Sequence, residues 1–247
     1  MPPFSPASRE PPAMSTPATG QPPATRYSPW FVVVVAGFVT CLLAANIVSV
    51  KLVSLHGLIL PAGIVIFPIS YIIGDVLTEV YGYAQARRVI WLGFACNAIM
   101  VAAIWAGGAL PAAPFWKGQA AYDEIFGLTP RILLASFVAY LVGEFANSFV
   151  LAKMKIATRG RWLWTRTIGS TVVGQALDSA VFVTLAFYGT MPGSVLGGVI
   201  AGQWIAKVLY EGAGTPLVYA AVGWLKAREQ VDTFDYDTDF NPVHLRG

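Results

Sequence analysis

Two carboxylates one helical turn apart, Asp75 and Glu79, stand inside the apolar stretch IIGDVLTEVYG. Acids in such a setting can take up protons, pair with bases, or accept hydrogen bonds from a donor-rich ligand, and each option needs partners. Residues three or four apart share a helix face, which makes one stripe of Tyr71, Asp75 and Thr78/Glu79. The same spacing gives three more: Tyr140, Glu144 and Asn147; Thr171, Gln175 and Asp178; Gln203, Lys207 and Glu211. Asn46 adds an amide in an earlier apolar run. A charged side chain facing lipid at a helix centre costs about 2.5–3.5 kcal/mol on insertion scales. These faces are therefore expected to point inward and to meet.

The elements that would carry them follow from composition. The chain has 247 residues, 56% hydrophobic and 12% charged, with a mean hydropathy of +0.61, the signature of an all-α polytopic membrane protein. Apolar windows of about 20 residues predict six transmembrane helices at 30–50, 58–80, 89–110, 131–151, 168–188 and 195–224. Placing both termini in the cytoplasm puts 12 of the 16 Lys and Arg inside and only Lys51, Lys117 and Arg131 outside, with Lys207 within the membrane, as the positive-inside rule requires. The formal charge of +3 then reflects orientation and gives no reason to expect a nucleic-acid partner.

Three segments are expected: a disordered, Pro-rich cytoplasmic tail at 1–29, a six-helix transmembrane domain at 30–225, and an acidic, solvated cytoplasmic tail at 226–247. A cleaved leader is not expected, because the first apolar run is long enough to span. Cys41 and Cys96 fall within helices and read as buried thiols. Trp30, Trp105, Trp162, Trp164 and Trp224 fall near helix ends, where aromatic belts form.

Depth tests whether the polar stripes can meet. At about 1.5 Å per residue, Asp178 lies roughly 15 Å from the cytoplasmic helix ends, and Asp75 and Glu144 roughly 10–12 Å. Glu211 and Lys207 reach a similar level from the other end. Pairing among themselves would make the set purely structural, but five acids (Asp75, Glu79, Glu144, Asp178 and Glu211) face one well-placed base, Lys207. The surplus must be protonated, hydrogen-bonded to neighbouring amides and hydroxyls, or offered to a ligand. Breakers in the second helix (Pro61, Gly63, Pro68, Gly74) and the sixth (Gly197 to Pro216) suit interrupted helices that line a cavity, although small residues also permit close packing. GDVLTE (74–79) aligns with GQALDS (174–179), and AANIVSVK (44–51) with FANSFVLAK (145–153). Both pairs are three helices apart, which predicts a 3+3 inverted repeat.

Enzymatic readings are weaker. Asp75 and Asp178 invite comparison with an intramembrane aspartyl protease, but Ile72 stands where that class has the first glycine of Gly-x-Gly-Asp. No zinc-protease or Walker-type motif occurs, and His56 and His244 lie in a loop and a tail. No cofactor or metal is expected. A transporter of another small solute, a vitamin or a purine, stays open, as does homo-oligomeric assembly.

The motifs NIVSVK, GDVLTEVYG with the following ARR, GEFANS, GSTVVGQALDS and KVLYEGAGTP together resemble the queuosine precursor transporters. The resemblance spans about 30–224. It implies a six-helix inner-membrane importer of the 7-deazaguanines preQ0 and preQ1 for tRNA queuosine salvage, with a fold like the membrane subunits of energy-coupling-factor vitamin transporters. It names neither the coupling ion nor an energising partner. A guanine-like edge carries paired donors that one carboxylate can accept. On this reading Glu144 or Asp178 grips that edge, while Asn147, Gln175 and Gln203 read the carbonyl and ring nitrogens. Trp204 either stacks on the base or contacts lipid or helix. Lys207 and Glu211 are spaced to pair with each other. Asp75 and Glu79 belong to the cavity or to a proton relay.

Overall fold

The computed structural model describes residues 28–49, 51–55, 58–127, 130–189 and 192–244. The expected disordered tail, up to residue 27, and His56 lie outside them. The described residues form seven α-helices and one hairpin: α1 (Pro29–Val48), β1 (Leu52–Leu55), β2 (Leu58–Pro61), α2 (Phe67–Tyr81), α3 (Tyr83–Ala109), α4 (Gln119–Phe126), α5 (Pro130–Ala157), α6 (Leu163–Phe187) and α7 (Gly193–Glu229). Ser28 starts α1 by accepting from the Phe31 amide at 3.0 Å, with Pro29 at the first helical position, where a missing N–H costs nothing.

Among the described residues, four segments are long and apolar enough to cross a membrane: Pro29–Val48, Tyr83–Ala109, Leu134–Ala157 and Leu163–Phe187. Two elements depart from the expected helices. The window at 58–80 divides: residues 58–61 pair antiparallel with β1, Leu52 opposite Pro61 and Val53 opposite Leu60, a 3-10 turn follows at Ala62–Val65, and α2 has only 15 residues. The prolines explain the break, because Pro61 and Pro68 cannot donate within a helix and disfavour helical geometry in the residues before them. In the sixth window the expected interruption is absent: α7 runs unbroken for 37 residues with Pro216 inside it. Pro216 withholds the N–H that the Gly212 carbonyl would otherwise receive, and the Thr215 hydroxyl donates back to the Glu211 carbonyl at 3.3 Å.

The bundle is organised around α2, whose residues Gly74 to Val80 are all buried. Leu77 packs with Phe31, Phe38, Leu42, Val89, Ile90 and Tyr140 of α1, α3 and α5. Val76 and Val80 pack with Leu163 and with the Val218, Val222 and Leu225 stripe of α7. Gly82 turns the chain directly from α2 into α3 with φ 83°, a conformation that favours glycine. A β-carbon there would meet Thr233 Cγ2 at 2.7 Å.

That contact belongs to the C-terminal segment, which was expected to be solvated and is instead a strap. Both Asp235 oxygens accept from the Tyr83 amide at 3.0 Å, supplying an acid to the start of α3, whose first amides lack helical partners. Arg87 donates to the Asp239 and Asn241 carbonyls, both at 2.7 Å, and the Trp91 indole donates to the Pro242 carbonyl at 2.8 Å. Phe240 sits against Phe149 and Tyr83 with Lys153 Nζ 3.8 Å above its ring. The polar composition hid this, because the segment is held by its backbone carbonyls and by buried bases of the helices. Trp30 and Trp224 meet edge to face at the same end, where the first and last helices come together.

Asp235→Ala is expected to cost about 1.5–3 kcal/mol, the worth of a hydrogen bond to a charged group, read as a lower thermal midpoint in detergent and faster proteolysis of 231–244. Burial pushes the Asp232 carboxyl up, but hydrogen bonds and charges from Lys155 and Lys226 outweigh it and hold the group below its usual range. Its hold on the strap is therefore present above about pH 4 and lost as pH falls further. Equal protease protection at all these pH values and in the variant would contradict this account.

Candidate functional site

Three glycines let the polar stripes converge. Gly143 of α5 and Gly174 of α6 face each other so closely that a β-carbon on the first would lie 2.8 Å from Asp178 Cβ, and one on the second 2.8 Å from Asn147 Cβ. Gly74 of α2 lies beside Glu144, whose Oε2 would be 3.4 Å from a β-carbon there. Each glycine directly precedes a polar residue of a stripe, in Gly74-Asp75, Gly143-Glu144 and Gly174-Gln175. Small residues at such crossings allow backbones to approach, and here the approach gathers Asp75, Glu144, Asn147, Gln175 and Asp178.

Within this cluster Asp75 is fully buried and accepts from Asn147 Nδ2 at 2.8 Å. Gln175 is hydrogen-bonded to Tyr71. Thr171 donates to Glu211 at 2.6 Å, and Lys207 pairs with Asp178. The cross-helix partners of Lys207 and Glu211 thus differ from the same-helix pair that their spacing suggests. Thr78 donates to the Gly74 carbonyl and contacts Ser148 Oγ at 3.1 Å. The Trp204 indole donates to the Val172 carbonyl at 3.0 Å, and Gln203 and Trp204 are half-buried.

Acceptors outnumber donors there. Asp75 Oδ2, Glu144 Oε2, Asn147 Oδ1 and Gln175 Oε1 are buried without a hydrogen-bond partner, and so is the hydroxyl of Ser179. No base pairs with Asp75 or Glu144 among the described residues. Unpaired buried acceptors cost about 1–3 kcal/mol each, so water or a guest must supply donors. A carboxyl pair sharing one proton, as an aspartyl protease needs, is not what Asp75 and Asp178 form: one is held by an amide and the other by Lys207.

Glu79 has a different environment. Arg166 grips both its oxygens at 2.7 and 2.8 Å, Lys226 Nζ lies 2.7 Å from Oε1, and Lys155 Nζ 3.6 Å from it. Lys155 and Lys226 also hold Asp232 at 2.6 and 2.8 Å. Counting bases along the sequence missed these three because all were assigned to loops. In fact α5 runs on to Ala157, α6 starts at Leu163 and α7 reaches Glu229, which carries Lys155, Arg166 and Lys226 inward. Glu79 thereby ties α2, α5, α6 and α7 together at the strap end.

Asn46 stands apart. Its Nδ2 donates to Asn97 Oδ1 at 3.1 Å, and both residues line a cavity of about 260 Å³ among α1, α3, α5 and α6 that none of the five acids lines. Another hollow of about 280 Å³ lies in the α3–α4 loop, remote from the acids. Asn97 was missed by sequence reasoning, although a lone amide in the apolar run FACNAIMV is the kind of residue that membrane interiors reserve for a purpose.

Membrane-spanning helices enclosing unneutralised acids define a transporter-like interior. The profile of a family described as "Putative vitamin uptake transporter" matches residues 61–221. The chain belongs to that family; it is a multi-pass membrane transporter and not an enzyme. It is 33% identical over 188 residues to a "Probable queuosine precursor transporter" of Bacillus subtilis, covering 75% of this chain and 80% of that one. It is 27% identical over 125 residues to the "Queuosine precursor transporter" of Escherichia coli, covering 49% and 52%. A "Probable queuosine precursor transporter" of Haemophilus influenzae is 25% identical over 126 residues, 51% of each chain. The chain thus spans about half the length of these last two. No solved structure matches it.

The two environments predict opposite mutational outcomes. Glu79→Ala strands buried Arg166 and is expected to cost about 3–5 kcal/mol, seen as loss of folded protein or a much lower thermal midpoint in detergent. Asp75→Asn removes an acid without a base partner and is expected to leave that midpoint unchanged or higher; a collapse as deep as that of Glu79→Ala would contradict the distinction.

Proposed function

We propose that this protein imports queuosine precursors, the 7-deazaguanine bases preQ0 and preQ1, for salvage into tRNA. The observation that carries the reading is the surplus of buried acceptors on Asp75, Glu144, Asn147 and Gln175. A guanine-type edge brings an N–H and an adjacent amino group, three donors on one flat face, and a carboxylate can accept two of them in parallel. Glu144 is assigned the donor edge, with Asn147 and Gln175 reading the rest of the base. Asp178 with Lys207, and Glu211 with Thr171, set the charge around it, while Gln203 and Trp204 flank the site from α7. The aminomethyl cation of preQ1 suits Asp75. Glu79 serves as an ionic tie at the cytoplasmic end. The names borne by the relatives support the substrate class.

The reading places α1, α2 with its hairpin, α3, α5, α6 and α7 as six crossings of the inner membrane, with both termini cytoplasmic. Support comes from the gathering of Arg87, Lys153, Lys155, Arg166 and Lys226 at the end that the strap covers, since cytoplasmic ends accumulate bases. Residues 1–29 and 226–247 flank this domain in the cytoplasm. The aligned motifs of α1 and α2 with α5 and α6 favour an inverted repeat. A vitamin as substrate is the second reading, favoured by the description of the matching family.

Uptake of labelled preQ1 by cells that lack their own importer tests the proposal. Unlabelled preQ0 and preQ1 are expected to compete, with adenine and vitamins ineffective. Asp75→Asn and Asp178→Asn are each expected to abolish uptake while protein persists in the membrane. Competition by a vitamin alone would favour the second reading, and full uptake by both variants would remove the acid cluster from transport.

A further inference from the structure

The cavity among α1, α3, α5 and α6 has a structural origin. From the Gly82 turn, α2 and α3 run back to back in opposite directions; α2 ends after 15 residues, and Asn97 is the fifteenth residue of α3. Beyond that level the centre of the bundle has lost its α2 helix. The α3 residues that line the cavity, from Asn97 through Met100 to Trp105, all lie at or past this level. On α5 the cavity reaches Ser136, two turns from Glu144 along one face, and on α6 it reaches Phe182, one turn from Asp178. The hollow therefore lies on the side of the acids away from the strap, within one to two turns of them along α5 and α6.

Its chemistry differs from theirs. Asn97 is 4% exposed, and its Oδ1 is taken by Asn46. Among the described residues, Asn97 Nδ2 and Asn46 Oδ1 have no protein partner, so the pair offers an amide NH2 and a carbonyl oxygen side by side. Ser49 is already committed to the Ala45 carbonyl at 2.6 Å. Phe137, Phe182 and Trp105 supply flat apolar walls. A volume of about 260 Å³ is below the usual range of drug-sized pockets, about 300–1,000 Å³, and suits one fused bicyclic ring without sugar or phosphate.

We propose that this cavity is a separate receiving site for a planar heterocycle with adjacent N–H and C=O groups on its ring, held by Asn46 and Asn97 before it passes to the acids. The inference rests on the 7-deazaguanine reading above. At the receiving site Asn97 Nδ2 donates to the ring carbonyl while Asn46 Oδ1 accepts the ring N–H. The exocyclic amino group, which the acids require, is not used. The two sites thus examine overlapping but different edges of one base.

The test is protection of a cysteine on the cavity wall. Ser136→Cys is placed in a chain carrying Cys41→Ala and Cys96→Ala, reconstituted in nanodiscs, and its modification by a small thiol reagent is timed with and without preQ1. With ligand at ten times its Kd, modification is expected to slow about tenfold. The same protection is expected in a Glu144→Gln background, which disables the deeper site. Asn97→Asp keeps the contact to Asn46 but turns the free donor into an acceptor, and is expected to weaken protection by about three- to tenfold, the effect of one neutral hydrogen bond; Asn46→Ala should match it. Protection lost with Glu144→Gln, or unaffected by both Asn variants, overturns the receiving site. Absence of protection while the unmodified protein transports preQ1 overturns it and leaves the function standing. Absence of both transport and binding overturns the function itself.

Discussion

A carboxylate carried into the interior of a helix bundle must be given a base, a hydrogen-bond donor or a proton, and this protein does not treat its carboxylates alike. Glu79 receives Arg166, Lys226 and Lys155. Asp75 and Glu144, on neighbouring faces of α2 and α5, receive one amide between them, and Asp75 Oδ2 and Glu144 Oε2 stay unpartnered. Breaking a buried ion pair is expensive, whereas a buried acid without a base is itself a cost in the folded state. The first arrangement holds four helices together; the second holds unmet hydrogen-bonding capacity where a ligand can use it.

The central helix makes the two environments possible. A full-length α2 would cross the bundle and fill it, but its 15 residues reach only from the strap end to the level of Asn97. Below that level, glycine contacts at Gly74, Gly143 and Gly174 draw three helices together around the acids. Above it lies the cavity with the asparagine pair. At the strap end, Glu79 and its bases, Asp232, and the backbone carbonyls of residues 239–242 tie the helix ends together. One end is closed by charge and backbone, and the other is hollow, which is the asymmetry that a vectorial carrier needs at any moment of its cycle.

Much of this was legible in the residues. The spacing of Asp75, Glu144, Asn147, Gln175 and Asp178 placed them on inward faces, and hydropathy located the long helices α1, α3, α5 and α6 but fell five or six residues short at one end of the last three. The rest depended on information that spacing does not carry. Arg166, Lys155 and Lys226 looked like loop charges until the helices proved longer than their apolar cores. The second strand of the hairpin, Leu58–Pro61, was read as the start of a helix because an apolar run of that length has no decisive period. The strap escaped because part of its hold is main chain, which composition does not report, and because Asp232 and Asp235 meet partners far away in sequence. Asn97 escaped because it stands alone on its face, with no second polar residue to complete a stripe.

The central claim is that the interior is short of donors and that a guanine-like edge supplies them. Binding of preQ1 to the purified protein, compared with an analogue whose ring amino group is replaced by hydrogen, measures this directly. The base without that amino group keeps its ring and its carbonyl but loses two donors, and it is predicted to bind at least about tenfold more weakly, the loss expected when buried charged acceptors go unmet. Equal affinity for the two bases would show that the unmet acceptor of Glu144 plays no part in recognition.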